Sequence, residues 1–215
     1  MAQDPKIRAM SNRGIFGDGL PSIRLAGERD AGEISAIYAP AVRGSIISFE
    51  TEPPTTGEMR RRVVTTLERF PWLIYERGGR VSGYAYAAEH RSRAAYQWCV
   101  DVSAYVHEDE RHKGVGRALY TSLISVLALQ GFYNAYAGIA LPNPASVGLH
   151  ESVGFRPVGV YRETGYKLGA WHDVGWWQLS IREREVDPEP PVNLPAALEY
   201  EGWEAALASG LRLDG

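Results

Sequence analysis

The chain has 215 residues, 45% hydrophobic and 23% charged, with a net charge of −3; this is the composition of a soluble domain with a core of its own, and it offers no general attraction to nucleic acid or an anionic membrane. One cysteine, Cys99, excludes an intramolecular disulfide and a zinc knuckle. No apolar run approaches the ~18–20 residues of a membrane span, and MAQDPKIRAM lacks the apolar stretch of a secretion signal, so a cytoplasmic location is expected.

Residues 1–20 are rich in Gly, Arg and Asp without a sustained period and read as a flexible extension. SIRLA (22–26) is a strand candidate, Asp30 is placed to cap a helix over AGEISAIYAPAV, and GSIISFE (44–50) again has strand character. Thr55 with Glu58 fits a capping box before EMRRRVVTTLERF, which ends at Pro71. WLIYER (72–77) and RVSGYAYAAE (80–89) flank Gly78–Gly79 as a hairpin, and YQWCVDVSAYV (96–106) is a third consecutive strand. GRALYTSLISVLALQ carries apolar residues at helical spacing and stops at Gly131. NAYAGIAL (134–141) is a strand, and Asn143, Pro144 and Gly154 frame a short helix. FRPVGVYRE and DVGWWQLSIRE are the last strands. DPEPPVNLPA is a Pro-rich connector to a possible closing helix. The order is mixed α/β: an extension over 1–20, a domain over 21–185 and a C-terminal extension over 186–215.

RHKGVG (111–116) lies between a strand and a helix. A P-loop needs Gly-Lys-Ser/Thr, but Gly116 is followed by Arg-Ala. A dinucleotide fingerprint needs a third glycine where Leu119 stands. The remaining phosphate-cradling pattern is R/Q-x-x-G-x-G/A. Its glycines let the main chain approach an anion, and the N–H groups of a helix start point at it. Arg111, Lys113 and Arg117 add positive charge. Against this stands a plain glycine-containing turn.

This segment resembles motif A of the Gcn5-related N-acetyltransferases. NPASVGLHESVGF (143–155) resembles the later helix of the same superfamily. FETEPPT, ERFPWLIYE, RAAYQW, LPNPASVGLHE and GYKLGAWHDVGWWQ are similar to the phosphinothricin acetyltransferase group, over roughly residues 22–182. The resemblance implies a central twisted mixed sheet of about six to seven strands flanked by about four helices. It also implies acetyl-CoA as cosubstrate, held by Tyr105, Val106, Arg111, His112, Lys113, Gly114, Val115, Gly116, Arg117, Asn143 and Ser146. No metal is expected, since adjacent His172 and Asp173 are too few ligands.

Acetylating an ammonium group requires a proton acceptor. The resembling group places a Glu on the strand before motif A, three residues after a Trp; here that position holds Asp101, shorter by a methylene, which suggests a water relay. His150 stands where this group has a candidate proton donor for the departing thiolate. Arg93 and Tyr96 fall where the group binds the acid group of a small acidic amine, Arg91 takes the place of a Lys of the group, and Phe49 is a candidate wall of the pocket; a guanidinium fork matches a carboxylate or phosphinate. Solvated loop charges and core aromatics are the plain alternatives. An acyl-Cys99 relay is conceivable from its place two residues before Asp101, although the resembling group transfers directly. The implied function is direct acetyl transfer to a small amino-acid-like amine by a homodimer. The competing readings are a peptide or polyamine acetyltransferase and a noncatalytic acyl-CoA-binding module.

Overall fold

The structure is a computed structural model that describes residues 5–7 and 20–213. The N-terminal extension read from the sequence therefore lies outside the described residues, save for 5–7 and Leu20. Seven strands form one sheet in the order β1-β2-β3-β4-β5-β7-β6. They are β1 Ser22–Leu25, β2 Trp72–Arg77, β3 Arg80–Glu89, β4 Cys99–Val106, β5 Asn134–Ala140, β6 Arg156–Lys167 and β7 Ala170–Ser180. Every pairing is antiparallel except β4 with β5.

The side-chain alternation of β2, β3 and β4 divides the sheet into two faces. Trp72, Tyr84, Tyr86 and Tyr105 share one face, where their rings stack and Tyr38 of helix α1 (Ala31–Gly44) meets Tyr105 edge-on at 4.9 Å. Helix α2 (Thr56–Leu67) starts at Thr55, whose hydroxyl accepts from the Glu58 N–H at 3.2 Å. The Glu58 carboxylate does not close the box; it pairs with Arg62. Helix α3 (Val115–Gln130) buries Val115, Leu119, Leu123, Val126 and Leu127 against the other face and ends at Gly131 in the left-handed conformation.

At Asp30 and over residues 44–50 the fold departs from the sequence reading. Asp30 starts α1, but its carboxylate makes no cap bond. It is buried against Arg24 with paired contacts of 2.8 Å and accepts from the Gly27 N–H, so the ion pair outcompetes the cap. Residues 44–50 form no strand. Side chains occupy the segment's polar groups instead: Ser48 Oγ bonds Tyr38 at 2.7 Å, Glu50 pairs with Arg62, and buried Lys167 donates to the Val42 and Ser48 carbonyls.

After β7 the chain returns over α3 as short helices α5 (Leu194–Ala197) and α6 (Trp203–Leu207) and a final 3-10 turn, rather than as one closing helix. Leu194, Ala197, Trp203 and Leu207 enter the core. Ser122 of α3 donates to the Leu207 carbonyl and accepts from the Gly210 N–H, while Gln130 donates to the Arg69 and Val192 carbonyls. Among the described residues no helix is long and apolar enough to cross a membrane.

Candidate active site

The parallel ladder of β4 and β5 is short. It pairs Cys99 with Asn134, Val100 with Ala135 and Asp101 with Tyr136, and beyond that point the strands part. A cleft of about 540 Å³ opens beside the freed part of β4. Ala104, Tyr105 and Val106 form one wall, the start of α3 with Arg111, His112 and Gly114 to Arg117 another, and Asn143, Ser146, Leu149 and His150 a third. Ile37, Ala41 and Ile47 add apolar surface from α1 and the segment after it.

The α3 end of this cleft is built for an anion. Gly114 caps the helix at φ +80° and His112 lies at φ +61°, both left-handed. Alternating handedness over a few residues gathers main-chain N–H groups into a concave donor site, and the first N–H groups of a helix have no intrahelical acceptor. Arg111 and Arg117 line the same space. Lys113 does not: it pairs with Glu110 at 3.2 Å, and Glu110 also takes Arg77 at 3.1 Å. The floor needs a small residue at 116. A Cβ there would stand 2.9 Å from Leu149 Cδ2 and 3.7 Å from Val106 Cγ2.

Helix α4 (Pro144–Ser152) carries the third wall. The Asn143 side chain accepts from the Ser146 N–H at 3.1 Å, and Pro144 occupies the first turn, as the sequence suggests. His150 is buried with both ring nitrogens engaged. Nδ1 faces the Ser146 carbonyl at 2.7 Å, which can only accept, so Nδ1 carries the hydrogen and Nε2 accepts from Tyr120 at 2.8 Å. In that geometry both nitrogens of the proton donor expected from the sequence are engaged within the protein. His150 ties α4 to α3.

Burial holds the His150 imidazole below its ordinary 6.5, outweighing the bond to Ser146. The unfolded chain therefore binds more protons through the interval beneath about 6.5, and stability falls as pH drops through it. The denaturant midpoint is expected to decline on acidification from about pH 7 to 5, with a shallower decline in His150→Gln; equal slopes in the two proteins would contradict this.

At the fork of β4 and β5, on the face shared with Tyr86, the Asp101 carboxylate lies 2.6 Å from His90 Nδ1. Burial pushes the Asp101 carboxyl up, and the His90 hydrogen bond and the charges of His90 and Arg91 draw it partly back. The His90 ring stacks on Tyr136 at 4.4 Å and meets Trp176 and Tyr96 edge-on at 6.2 and 6.1 Å. The Trp176 indole N–H is buried without an acceptor among the described residues. The short reach of Asp101 is thus matched by an imidazole, a partner that sequence reasoning misses. The β3–β4 register contains the signal: Glu89 pairs with Val100, so the next residue, His90, falls beside Cys99 and Asp101.

The other expected residues divide. Tyr96 stands by His90, half exposed, and Arg91 and Arg93 are exposed on the β3–β4 connection, Arg93 at the start of a 3-10 turn. Phe49 packs on the β6–β7 hairpin: a Cβ on Gly165 would fall within 2.1 Å of its ring, and His172 lies 6.4 Å away. Burial raises the Cys99 thiol, which keeps it protonated and disfavours a covalent relay.

The same hairpin explains the GYKLGAWHDVGWWQ stretch. His172 Nε2 donates to the Lys167 carbonyl, and Asp173 accepts from the Glu163 N–H at 2.8 Å. Lys167 anchors the hairpin to the end of α1, and Trp176 packs over Gly138 beside His90. Among the described residues no cluster of three His, Cys, Asp or Glu is placed to hold a metal.

A family model described as an acetyltransferase (GNAT) domain matches residues 23–176. A phosphinothricin N-acetyltransferase of Streptomyces viridochromogenes is 40% identical over 169 residues, covering 79% of this chain and 90% of its own. An L-methionine sulfoximine/L-methionine sulfone acetyltransferase of Salmonella typhimurium is 33% identical, covering 75% of this chain and 95% of its own. Among solved structures, a GNAT superfamily phosphinothricin acetyltransferase from Sinorhizobium meliloti, in complex with AcCoA, superposes with a TM-score of 0.76 at 32% identity. It covers 80% of this chain and 95% of that one. With its forked parallel strand pair and the glycine turn opening α3, the chain belongs to the acetyltransferase (GNAT) domain family.

Proposed function

We propose that this protein transfers acetyl from acetyl-CoA to the amino group of a small amino-acid-like acid of the phosphinothricin or methionine sulfoximine type. The observation that carries the reading is one cleft with an anion cradle at its α3 end, walled by the strand that also carries Asp101 of a carboxylate–imidazole pair.

The cradle fits the cosubstrate. The left-handed Gly114, the side-chain-free Gly116 and the guanidinium groups of Arg111 and Arg117 suit a pyrophosphate. The edge of β4 from Ala104 to Val106, with Asn143 and Ser146 opposite, offers polar groups to a pantetheine arm. When bound, acetyl-CoA supplies an activated acetyl group and a sulfur leaving group. The protein's part is to hold it, to keep the acceptor amine at the fork, and to take the proton that an ammonium group carries at neutral pH. The Asp101–His90 pair is the proton-accepting unit. Arg91 and Arg93 face the substrate's acid group, which favours an acidic amine over a polyamine.

Mass spectrometry of a reaction with acetyl-CoA should find N-acetylated methionine sulfoximine. Product from peptide amino termini alone would overturn the substrate class.

The proposal includes a homodimer in the cytoplasm. Strand β6 is an edge strand whose first nine residues are exposed, and Val158, Val160, Tyr161, Tyr166, Leu168 and Trp171 extend that apolar surface along the hairpin. A long exposed apolar edge invites pairing, and aromatic residues are enriched in interface cores. Light scattering is expected to give the mass of two chains at micromolar concentration; a monomer would count against it.

A further inference from the structure

We propose that within the Asp101–His90 pair the imidazole is the group that takes the proton from the amine, through Nε2, while Asp101 holds and polarises it through Nδ1. The inference rests on the acetyl-transfer reading above and assigns the atoms within it.

The geometry divides the roles. Asp101 Oδ1 lies 2.6 Å from His90 Nδ1, and an ionised carboxylate can only accept, so in the neutral imidazole the hydrogen is on Nδ1 and the lone pair is on Nε2. Among the described residues Nε2 has no hydrogen-bond partner. Stacking on Tyr136 at 4.4 Å and edge contacts with Trp176 and Tyr96 fix the ring plane, so the lone pair has a set direction. The side chains of His90 and Asp101 are 12% and 34% exposed, which leaves the pair open to a ligand yet largely desolvated. The unpartnered indole N–H of Trp176 in the same cluster offers a further buried donor for a bound acid.

The chemistry favours the same division. An imidazole is by chemical type a more basic proton acceptor than a carboxylate. A carboxylate on the far nitrogen stabilises the imidazolium that forms. The ammonium gives one proton to Nε2. The amine then forms the C–N bond as the thioester C–S bond breaks, its second proton leaves with the sulfur, and His90 returns its proton to solvent. Atoms and charge balance without another reactant. The groups facing the ring are Asp101 on β4, Tyr136 on β5, Trp176 on β7, and Arg91 and Tyr96 on the connecting segment; Cys99 and Arg184 act at Tyr136.

His90→Asn separates an acceptor from an anchor. An asparagine amide N–H can still donate to Asp101 from the Nδ1 position, but nothing replaces Nε2. The variant is expected to lose ~10²–10⁴-fold in kcat/KM for the best amine while acetyl-CoA affinity is unchanged. Activity retained within about threefold would make Asp101 the acceptor and overturn the proposal. Nitrogen NMR of the unliganded wild-type protein provides a readout independent of turnover and of the variant's folding. In its neutral form His90 should show a protonated Nδ1 and a bare Nε2, with the hydrogen redistributed toward Nε2 in Asp101→Asn. A wild-type Nε2–H tautomer would overturn the proposal even if the protein is an active acetyltransferase. Wild-type protein that acetylates no amine would instead fail the underlying reading, and this assignment with it.

Discussion

Asp101→Asn is expected to lower turnover by ~10²–10⁴-fold at neutral pH, the range for losing a positioned proton-transfer group. The substitution is isosteric, and its amide oxygen can still receive the Nδ1–H of His90, so folding should be retained. What disappears is the negative charge that stabilises a protonated imidazole, and with it the preference for the productive tautomer. The deficit should shrink at high pH, where more of the amine arrives already neutral. Acetyl-CoA affinity should be unchanged, since Asp101 is not among the residues lining the cleft. Asp101→Glu provides a second arm. By chain length alone the added methylene would extend the carboxylate toward the amine. In the structure Oδ1 already stands 2.6 Å from Nδ1, so the longer side chain must displace the ring stacked on Tyr136. Activity is therefore expected to fall in Asp101→Glu as well. Steady-state rates over pH check both variants, and near-normal turnover in Asp101→Asn would leave Asp101 with a structural role only.

Gly116→Val is expected to weaken acetyl-CoA binding by ~10–100-fold, the cost of one or two charge-assisted hydrogen bonds. The added side chain would start 2.9 Å from Leu149 Cδ2 and enter the space that Val106 and Leu149 line. Leu149 is a flexible neighbour that can give way, so the protein should fold with its main-chain donors obstructed. Calorimetry measures the affinity, and thermal melting shows whether the fold persists. Unchanged affinity in a folded variant would remove the pyrophosphate from this turn.

The elements that frame the cleft are legible in the sequence because local chemistry dictates them. Asn143 and Pro144 start α4, Gly131 stops α3, and Gly78–Gly79 turn the β2–β3 hairpin with both residues left-handed. The failures arise where a distant partner outcompetes a local preference. Residues 44–50 have strand composition, but their polar groups are claimed by Tyr38, Arg62 and Lys167, all far along the chain. Lys113 reads as a phosphate ligand by position, yet Glu110 takes it. The pairing of His90 with Asp101 is the most consequential omission. It depends on strand register and on a connection that folds the imidazole back over Tyr136, and residue spacing encodes neither directly.

The most direct test of the central claim is the initial rate of thiol release from acetyl-CoA with the wild-type protein across phosphinothricin, methionine sulfoximine, a polyamine and a peptide amino terminus. Saturable turnover is expected with the two small acidic amines, and only background rates with the polyamine and the peptide. Tight acetyl-CoA binding without thiol release on any amine, or release on the peptide alone, would contradict it.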